Sequence, residues 1–402
     1  PNPFPELTPE ERTRGFVVAP QPWLKLIYPT VYPTRAEIGQ KLQCQLAPGE
    51  IEPMTLAITA DQPLQNVRVQ LYAPLTDTRG RRLPTESVSL GVVRHMKRWL
   101  TNGAPLQAGQ RYERRPLLIY PNQAFDIPAR ETRQVWLTVQ APTDQRPGVY
   151  EGSLRVFAGG SGMLVPLQVR VLPLKLAEAK PTYGMYYRHR DQPKAYQTDD
   201  FYRRCMADMH AHGMNSMSLY AQVERKQPDG SWVIDLENAA DPYNTARQIT
   251  LLTEAGLASA DHPLLYLATG KSDGIFGNQE RLVAAVAELR RARGWPELLF
   301  YLVDEPGSAA RIALAKELND IVHRVPGVRT TTALGAPGEL ADYYDVWISS
   351  TSSENLDDIL KLGREKQKEV WTYNCQWNGT QPANDRYFCG YHMWVTGLRG
   401  NW

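Results

Sequence analysis

LLFYLVDEPGSAARIALAKELNDIVHRVPGVRTTTAL, Leu298–Leu334, changes structural period twice. It opens on an apolar run of strand length that ends in two adjacent acids, Asp304 and Glu305. Pro306 and Gly307 then break the run, and Ser308 is a residue type that caps helices. SAARIALAKELNDIVHRV has helical length and composition, and VRTTTAL returns to β-branched residues. Strand, helix, strand is the unit from which parallel sheets are built.

The same alternation extends both ways. Before it come YGMYY, NSMSLY and PLLYLATG as strands, and after it DVWISS and EVWTYN. Between them lie helical segments. TDDFYRRCMADMHAHG has Thr198 as cap, a stripe of Phe201, Cys205 and Met209, and Gly213 as terminator. NTARQITLLTEAG follows, then NQERLVAAVAELRRARG with Leu282, Val286 and Leu289 on one face, and later SENLDDILKLGREKQ. A last helix around RYFCGYHMWVTG runs into LRGNW. Seven strands with an eighth beginning at Leu398 match a (β/α)8 TIM-type barrel over residues 181–402, its eighth strand truncated where the chain stops at Trp402. A doubly wound sheet also alternates, but no G-x-G-x-x-G turn follows any strand, which favours the barrel.

Residues 1–180 read differently. SLRVFA sets Leu154 and Val156 against Ser153 and Arg155, GGSG turns the chain, and LVPLQVRV alternates Leu167, Val169 and Val171 with Gln168 and Arg170. That is a hairpin with one buried face. MTLAITA, NVRVQLYAP and RQVWLTVQAP repeat the strand pattern, so an antiparallel β-sandwich is expected. VLPLKLAEAKPTYG leads out of it, with the boundary near Lys180. The whole is a multidomain β plus α/β chain, as its 402 residues suggest.

Bulk properties exclude several classes. A net charge of +2 from 45 basic and 43 acidic residues is too balanced for a nucleic-acid binder, and RGRR (Arg79–Arg82) and HMKRW (His95–Trp99) read as solvated loops. No apolar run has the length of a membrane span. The chain starts PNPFPEL without Met or signal sequence, so a targeting segment is expected to be trimmed or outside it. Of the four cysteines, Cys375 and Cys389 either pair or, the preferred reading, remain separate buried thiols. His210 and His212 lie i, i+2 on a helix and face apart, GGSGM is no G-x-S-x-G, and no cofactor motif occurs. The NGT at Asn378 matches a glycosylation sequon, a pattern that chance often produces. Oligomeric state is not legible.

In a barrel, functional residues collect at the carboxyl ends of the strands. Those ends supply Tyr187, Arg188 and His189, then Tyr220, Thr269 and Lys271, then Asp304 and Glu305, then Ser349 and Ser350, and last Tyr373, Asn374, Gln376 and Trp377. Rings beside neutral polar groups suit carbohydrates, whose sugars offer apolar faces and hydroxyls. Adjacent side chains in a strand face opposite ways, so Asp304 and Glu305 can share a site only where the ladder ends and Pro306 fixes the next φ. Two carboxylates forced together raise the pKa of one, which keeps a general acid protonated. The alternative is that the pair simply favours the dipole of the next helix, a role Ser308 already covers as its cap.

HGMNSMS, YLVDEPG, VWTYNCQW and GLRGNW, on strands two, four, seven and eight, together resemble glycoside hydrolase family 123 and the wider set of proteins sharing its catalytic domain. In the sandwich only generic phrases such as PGVYEGSLRV carry the likeness. The resemblance implies an exo-acting, retaining β-N-acetylgalactosaminidase or related β-hexosaminidase in which the substrate's 2-acetamido oxygen is the nucleophile. Glu305 would be its acid/base and Asp304 the residue orienting the acetamido group. Tyr373 would bond the acetamido oxygen, and Trp377 or Trp402 would wall the sugar. Asn374, Tyr220, Arg188 and His189 complete the candidate binding set, with no metal or cofactor. The segment NGTQPANDRYF is shorter than the family pattern leads one to expect, which leaves galactosaminide specificity open. Two other readings stand beside this one: a glycosidase with a carboxylate nucleophile, and a carbohydrate-binding or structural surface protein with a catalytically weak barrel. A glycan or glycoconjugate substrate implies a secreted or periplasmic enzyme.

Overall fold

The computed structural model describes residues 2–99, 112–221, 223–238, 241, 243–268, 275–350, 355–373 and 382–402. Pro1–Glu178 forms one compact unit, and Ala179–Cys375 with Arg386–Trp402 forms a second.

The first unit contains two five-stranded sheets. One orders Phe16–Gln21, Ile51–Ala60, Thr132–Gln140, Val88–Trp99 and Tyr112–Pro121, and the other Leu42–Leu46, Ser161–Val171, Gly148–Ala158, Leu64–Thr76 and Phe125–Ile127. Neighbours pair antiparallel, except Leu42–Leu46, which runs parallel to Ser161–Val171. The expected hairpin is present: Leu154 pairs with Val165 and Val156 with Met163. Its turn needs only Gly159 and Gly160, both at positive φ as a two-residue hairpin turn requires. Leu154, Val156, Leu167, Val169 and Val171 enter one buried cluster, which Leu56, Ile58, Val135 and Leu137 of the facing sheet complete.

In the second unit we number the parallel strands β1 (Thr182–Tyr183), β2 (Ser218–Ala221), β3 (Leu264–Ala268), β4 (Leu298–Tyr301), β5 (Thr330–Ala333), β6 (Val346–Ser350), β7 (Glu369–Tyr373) and β8 (Gly400–Asn401). They lie in one sheet in the order β1-β8-β7-β6-β5-β4-β3-β2. Backbone bonds also link the segments at its two ends. The amides of Asn215 and Ser216 donate to Tyr183 O at 3.1 and 3.0 Å, and that of Ser218 to Met185 O at 3.2 Å. The eighth strand is short, but Trp402 N still donates to Thr372 O at 2.8 Å.

Strand alternation sorts the core into two faces. Leu265, Leu299, Tyr301, Val346, Ile348, Trp371 and Trp402 form one cluster, while Leu264, Tyr266, Leu298 and Phe300 pack with helix residues in another. The longer helices of this unit are α1 (Asp199–Ala211), α2 (Thr245–Glu254), α3 (Ile275–Arg293), α4 (Ala309–Val322) and α5 (Leu356–Glu365). Thr198, Asn244 and Ser308 cap α1, α2 and α4 with side-chain oxygens, so Ser308 does occupy the capping position that sequence assigned it. The stripe read for α1 is off by one position. Tyr202 and Met206 are its buried residues, Cys205 and Met209 flank them, and Phe201 instead meets the rings of Tyr196 and His189. Among the described residues no helix is long and apolar enough to cross a membrane.

Candidate active site

β4 ends at Tyr301, three residues before the first acid. One further ladder bond, Leu302 N to Thr331 O at 3.1 Å, extends it, and then the chain bends. Val303, which strict alternation would put on the Tyr301 face, packs with Leu318, Leu340 and Trp347 in a third cluster. The pair therefore does not sit on the last strand residue, as sequence suggested, but in a bend beyond it. Pro306 is not the sole device either. Glu305 itself has φ +44°, a left-handed conformation that costs about 1–3 kcal/mol in a non-glycine residue and that clusters at functional sites. Arg311, in the first turn of α4, donates from Nη2 to the carbonyl of Asp304 and holds the bend.

Each carboxylate is anchored by its own tyrosine. The Tyr301 hydroxyl donates to Asp304 Oδ1 and receives the amide of Ala333 at 3.2 Å. Tyr301 is buried, and burial together with the neighbouring Asp304 charge holds its phenol well above the usual range, so it remains a donor. The Tyr373 hydroxyl donates to Glu305 Oε1 at 2.7 Å. Asp304 and Glu305 are themselves exposed.

Both acids line a cleft of 390 Å³ together with Tyr186, Arg188, Tyr220, Tyr301 and Tyr373. Its residues come from the carboxyl ends of β1, β2, β3, β4, β5 and β7. Arg188 lies over the Tyr220 ring, 4.4 Å from its centroid, and fixes one wall. Tyr186 is the most informative member. Its hydroxyl is buried and has no hydrogen-bond partner among the described residues. Burial, with the nearby Tyr301 hydroxyl, pushes its pKa far above the ordinary value, so it too keeps its proton.

Of the residues selected from sequence, Asp304, Glu305, Tyr373, Tyr220 and Arg188 converge on this cleft. His189 does not line it. His189 sits in a ring cluster with Tyr187, Tyr202 and Tyr243, its Nδ1 3.4 Å from the Tyr187 hydroxyl, and burial lowers its pKa. Trp402 does not line it either. Its ring stacks on Trp371 at 5.5 Å and 11° and is 7 % exposed, so it fills the sheet's apolar face instead of walling a sugar. Ser349 is buried and donates to Gly335 O at 3.2 Å. Asn374, Gln376, Trp377, Thr269, Lys271 and Cys375, the cysteine weighed against Cys389 for a disulfide, lie outside the described residues. Sequence reading missed Tyr186 and Tyr301, which look like ordinary strand residues. It also passed over the end of β5, although Tyr301 stands three residues before Asp304, a spacing at which a bend brings side chains together.

Residues 48–158 match the family profile described as glycoside hydrolase 123 N-terminal domain. Comparison with curated proteins gave no match. Among solved structures, a family 123 glycoside hydrolase from Clostridium perfringens, described in terms of glycolipid glycan hydrolysis, shares the fold. Its TM-score is 0.74 at 12% identity, over 96% of this chain and 78% of that one. Bacteroides uniformis beta-glucuronidase 3 aligns with a TM-score of only 0.31 at 12% identity, over 83% of this chain and 38% of that one.

Proposed function

We propose that the chain, whose residues 48–158 match the glycoside hydrolase 123 N-terminal domain and whose fold is shared with a family 123 enzyme, is an exo-acting, retaining β-N-acetylhexosaminidase that uses its substrate's acetamido group as nucleophile. The observation that carries the proposal is the bend after β4, which turns two sequence-adjacent carboxylates into one cleft and gives each its own tyrosine anchor.

In the first step the acetamido oxygen attacks the anomeric carbon as the glycosidic C–O bond breaks. Glu305 gives its proton to the departing oxygen, and a cyclic oxazolinium forms. Asp304, with Oδ1 held by Tyr301, receives the acetamido N–H on its other oxygen and stabilises the positive charge. In the second step Glu305 takes a proton from water. That water attacks the anomeric carbon from the face the leaving group vacated, the oxazolinium opens, and configuration is retained. Tyr373 fixes the rotamer of Glu305 through its 2.7 Å bond. Its one proton is thereby committed, so Tyr186, which also lines the cleft, is the second candidate donor to the acetamido oxygen. The β-N-acetylgalactosaminide is the first substrate to try.

The test is hydrolysis of aryl β-N-acetylgalactosaminide and β-N-acetylglucosaminide by wild type and Glu305→Gln. Loss of the general acid is expected to lower kcat/KM about 10²–10⁴-fold. A fully active variant would remove Glu305 from the mechanism.

A further inference from the structure

Glu305 lines a second cavity as well. That cavity has a volume of 700 Å³ against 390 Å³ for the cleft described above, and the two share Glu305, Tyr373 and Ala333. The Tyr373–Glu305 hydrogen bond thus stands at the boundary between them. Asp304, Tyr186, Tyr220 and Arg188 line only the smaller cleft. The larger one is formed beyond the bend by Pro306 and Gly307, by Ile312 of α4, and by the turn after β5, Leu334–Leu340.

We infer that this second cavity receives the leaving group. The inference rests on Glu305 being the general acid, and chemistry then constrains it. A general acid must reach the glycosidic oxygen, the one atom shared by the sugar being released and the group it leaves behind. Space on both sides of the acid is required. The group that orients the 2-acetamido substituent belongs on the sugar's side alone. Glu305 lines both spaces and Asp304 only one, which is the division these roles demand.

The lining also indicates what kind of leaving group fits. Apart from Tyr373 it carries no ring, and its side chains are short and apolar: Ile312, Leu334, Pro337 and Leu340 among them. Its charged members are Glu305 and Glu339, and Glu339 is held by Lys316 at 2.8 Å. With a volume well above that of the sugar cleft, it suits a leaving group larger than one sugar ring that presents an apolar face.

Gly335 offers a way to fill this space. Nothing lies within 4 Å of where its Cβ would be, and its φ is not in the left-handed region. Gly335→Phe is compared with wild type on two substrates of the same 2-acetamido sugar, in whichever of the galacto and gluco configurations wild type cleaves faster. One is the β-fluoride, whose leaving group is a single atom, and the other a disaccharide β-linked to galactose. The ratio of kcat/KM for disaccharide over fluoride is expected to fall about tenfold or more. Ala336→Trp, at an exposed lining position, is the second variant and decides the matter if Gly335→Phe loses its cooperative thermal transition. An unmoved ratio in folded protein overturns the leaving-group assignment and leaves the hydrolase reading standing. Failure of wild type to cleave either substrate overturns the hydrolase reading itself, and this assignment with it.

Discussion

At the residue scale the two acids differ in their surroundings more than in their position. Asp304 depends on Tyr301, whose hydroxyl is fixed in turn by the Ala333 amide, so a residue of β5 indirectly orients an acid after β4. A hydrogen bond to a charged group contributes about 1.5–3 kcal/mol, so Tyr301→Phe is expected to lower kcat about ten- to hundredfold with little change in KM. Steady-state kinetics on an aryl 2-acetamido glycoside measures both parameters, and an unaltered kcat would show that Asp304 needs no anchor. The presence of the acids was legible in DEP, but the means of bringing them together was not. Glu305 adopts φ +44° because the tertiary structure imposes it, and no local residue preference announces a left-handed glutamate.

At the element scale, two glycines admit the large rings that fill the sheet. A Cβ on Gly400, in β8, would stand 2.4 Å from the Trp371 ring, and one on Gly184, just after β1, would stand 2.5 Å from that of Trp402. Overpacking of this sort costs about 1–3 kcal/mol, so Gly400→Ala is expected to lower the urea midpoint, while Gly335→Ala, with open space around it, is the control. Equal midpoints for the two would contradict the packing described here. Strand and helix existence was readable from periodicity, whereas strand ends were not. β4 ends at Tyr301 although its apolar run continues to Val303, because the apolar residues beyond Tyr301 are buried by α4 and the β5 turn instead of by the ladder. Trp402 was misjudged for a related reason: an aromatic at a strand end is equally suited to stacking on a sugar and to filling the apolar interior. Its neighbours Trp371 and Tyr186 decide for the interior.

At the scale of the whole molecule, half-buried imidazoles contribute to the pH response near neutrality. His95 in the sandwich receives Arg133 Nη1 on Nδ1 at 3.1 Å, so its Nε2 carries the proton shared with Ile27 O at 2.8 Å. Burial first, and the adjacent Arg133 and Arg114 charges, lower its pKa, and burial does the same for His189 and His392. All three favour the neutral ring when folded. Below pH about 6.5 the unfolded chain therefore binds more protons, and stability falls as pH drops until the depressed folded-state values are passed. Urea midpoints are expected to decline between pH 7 and 5, and His95→Gln to flatten the slope. A midpoint that rises on acidification would contradict the sign. The two-part architecture was legible because period 2 and period 3.6 segments segregate along the chain. The match of residues 48–158 falls in the sandwich, where sequence motifs were weakest. The measurement that tests the central claim most directly compares wild-type kcat/KM on an aryl 2-acetamido-2-deoxy-β-galactoside with that on the 2-hydroxy galactoside. Substrate assistance predicts turnover of the first and none detectable of the second, and comparable rates on both would place the nucleophile in the protein.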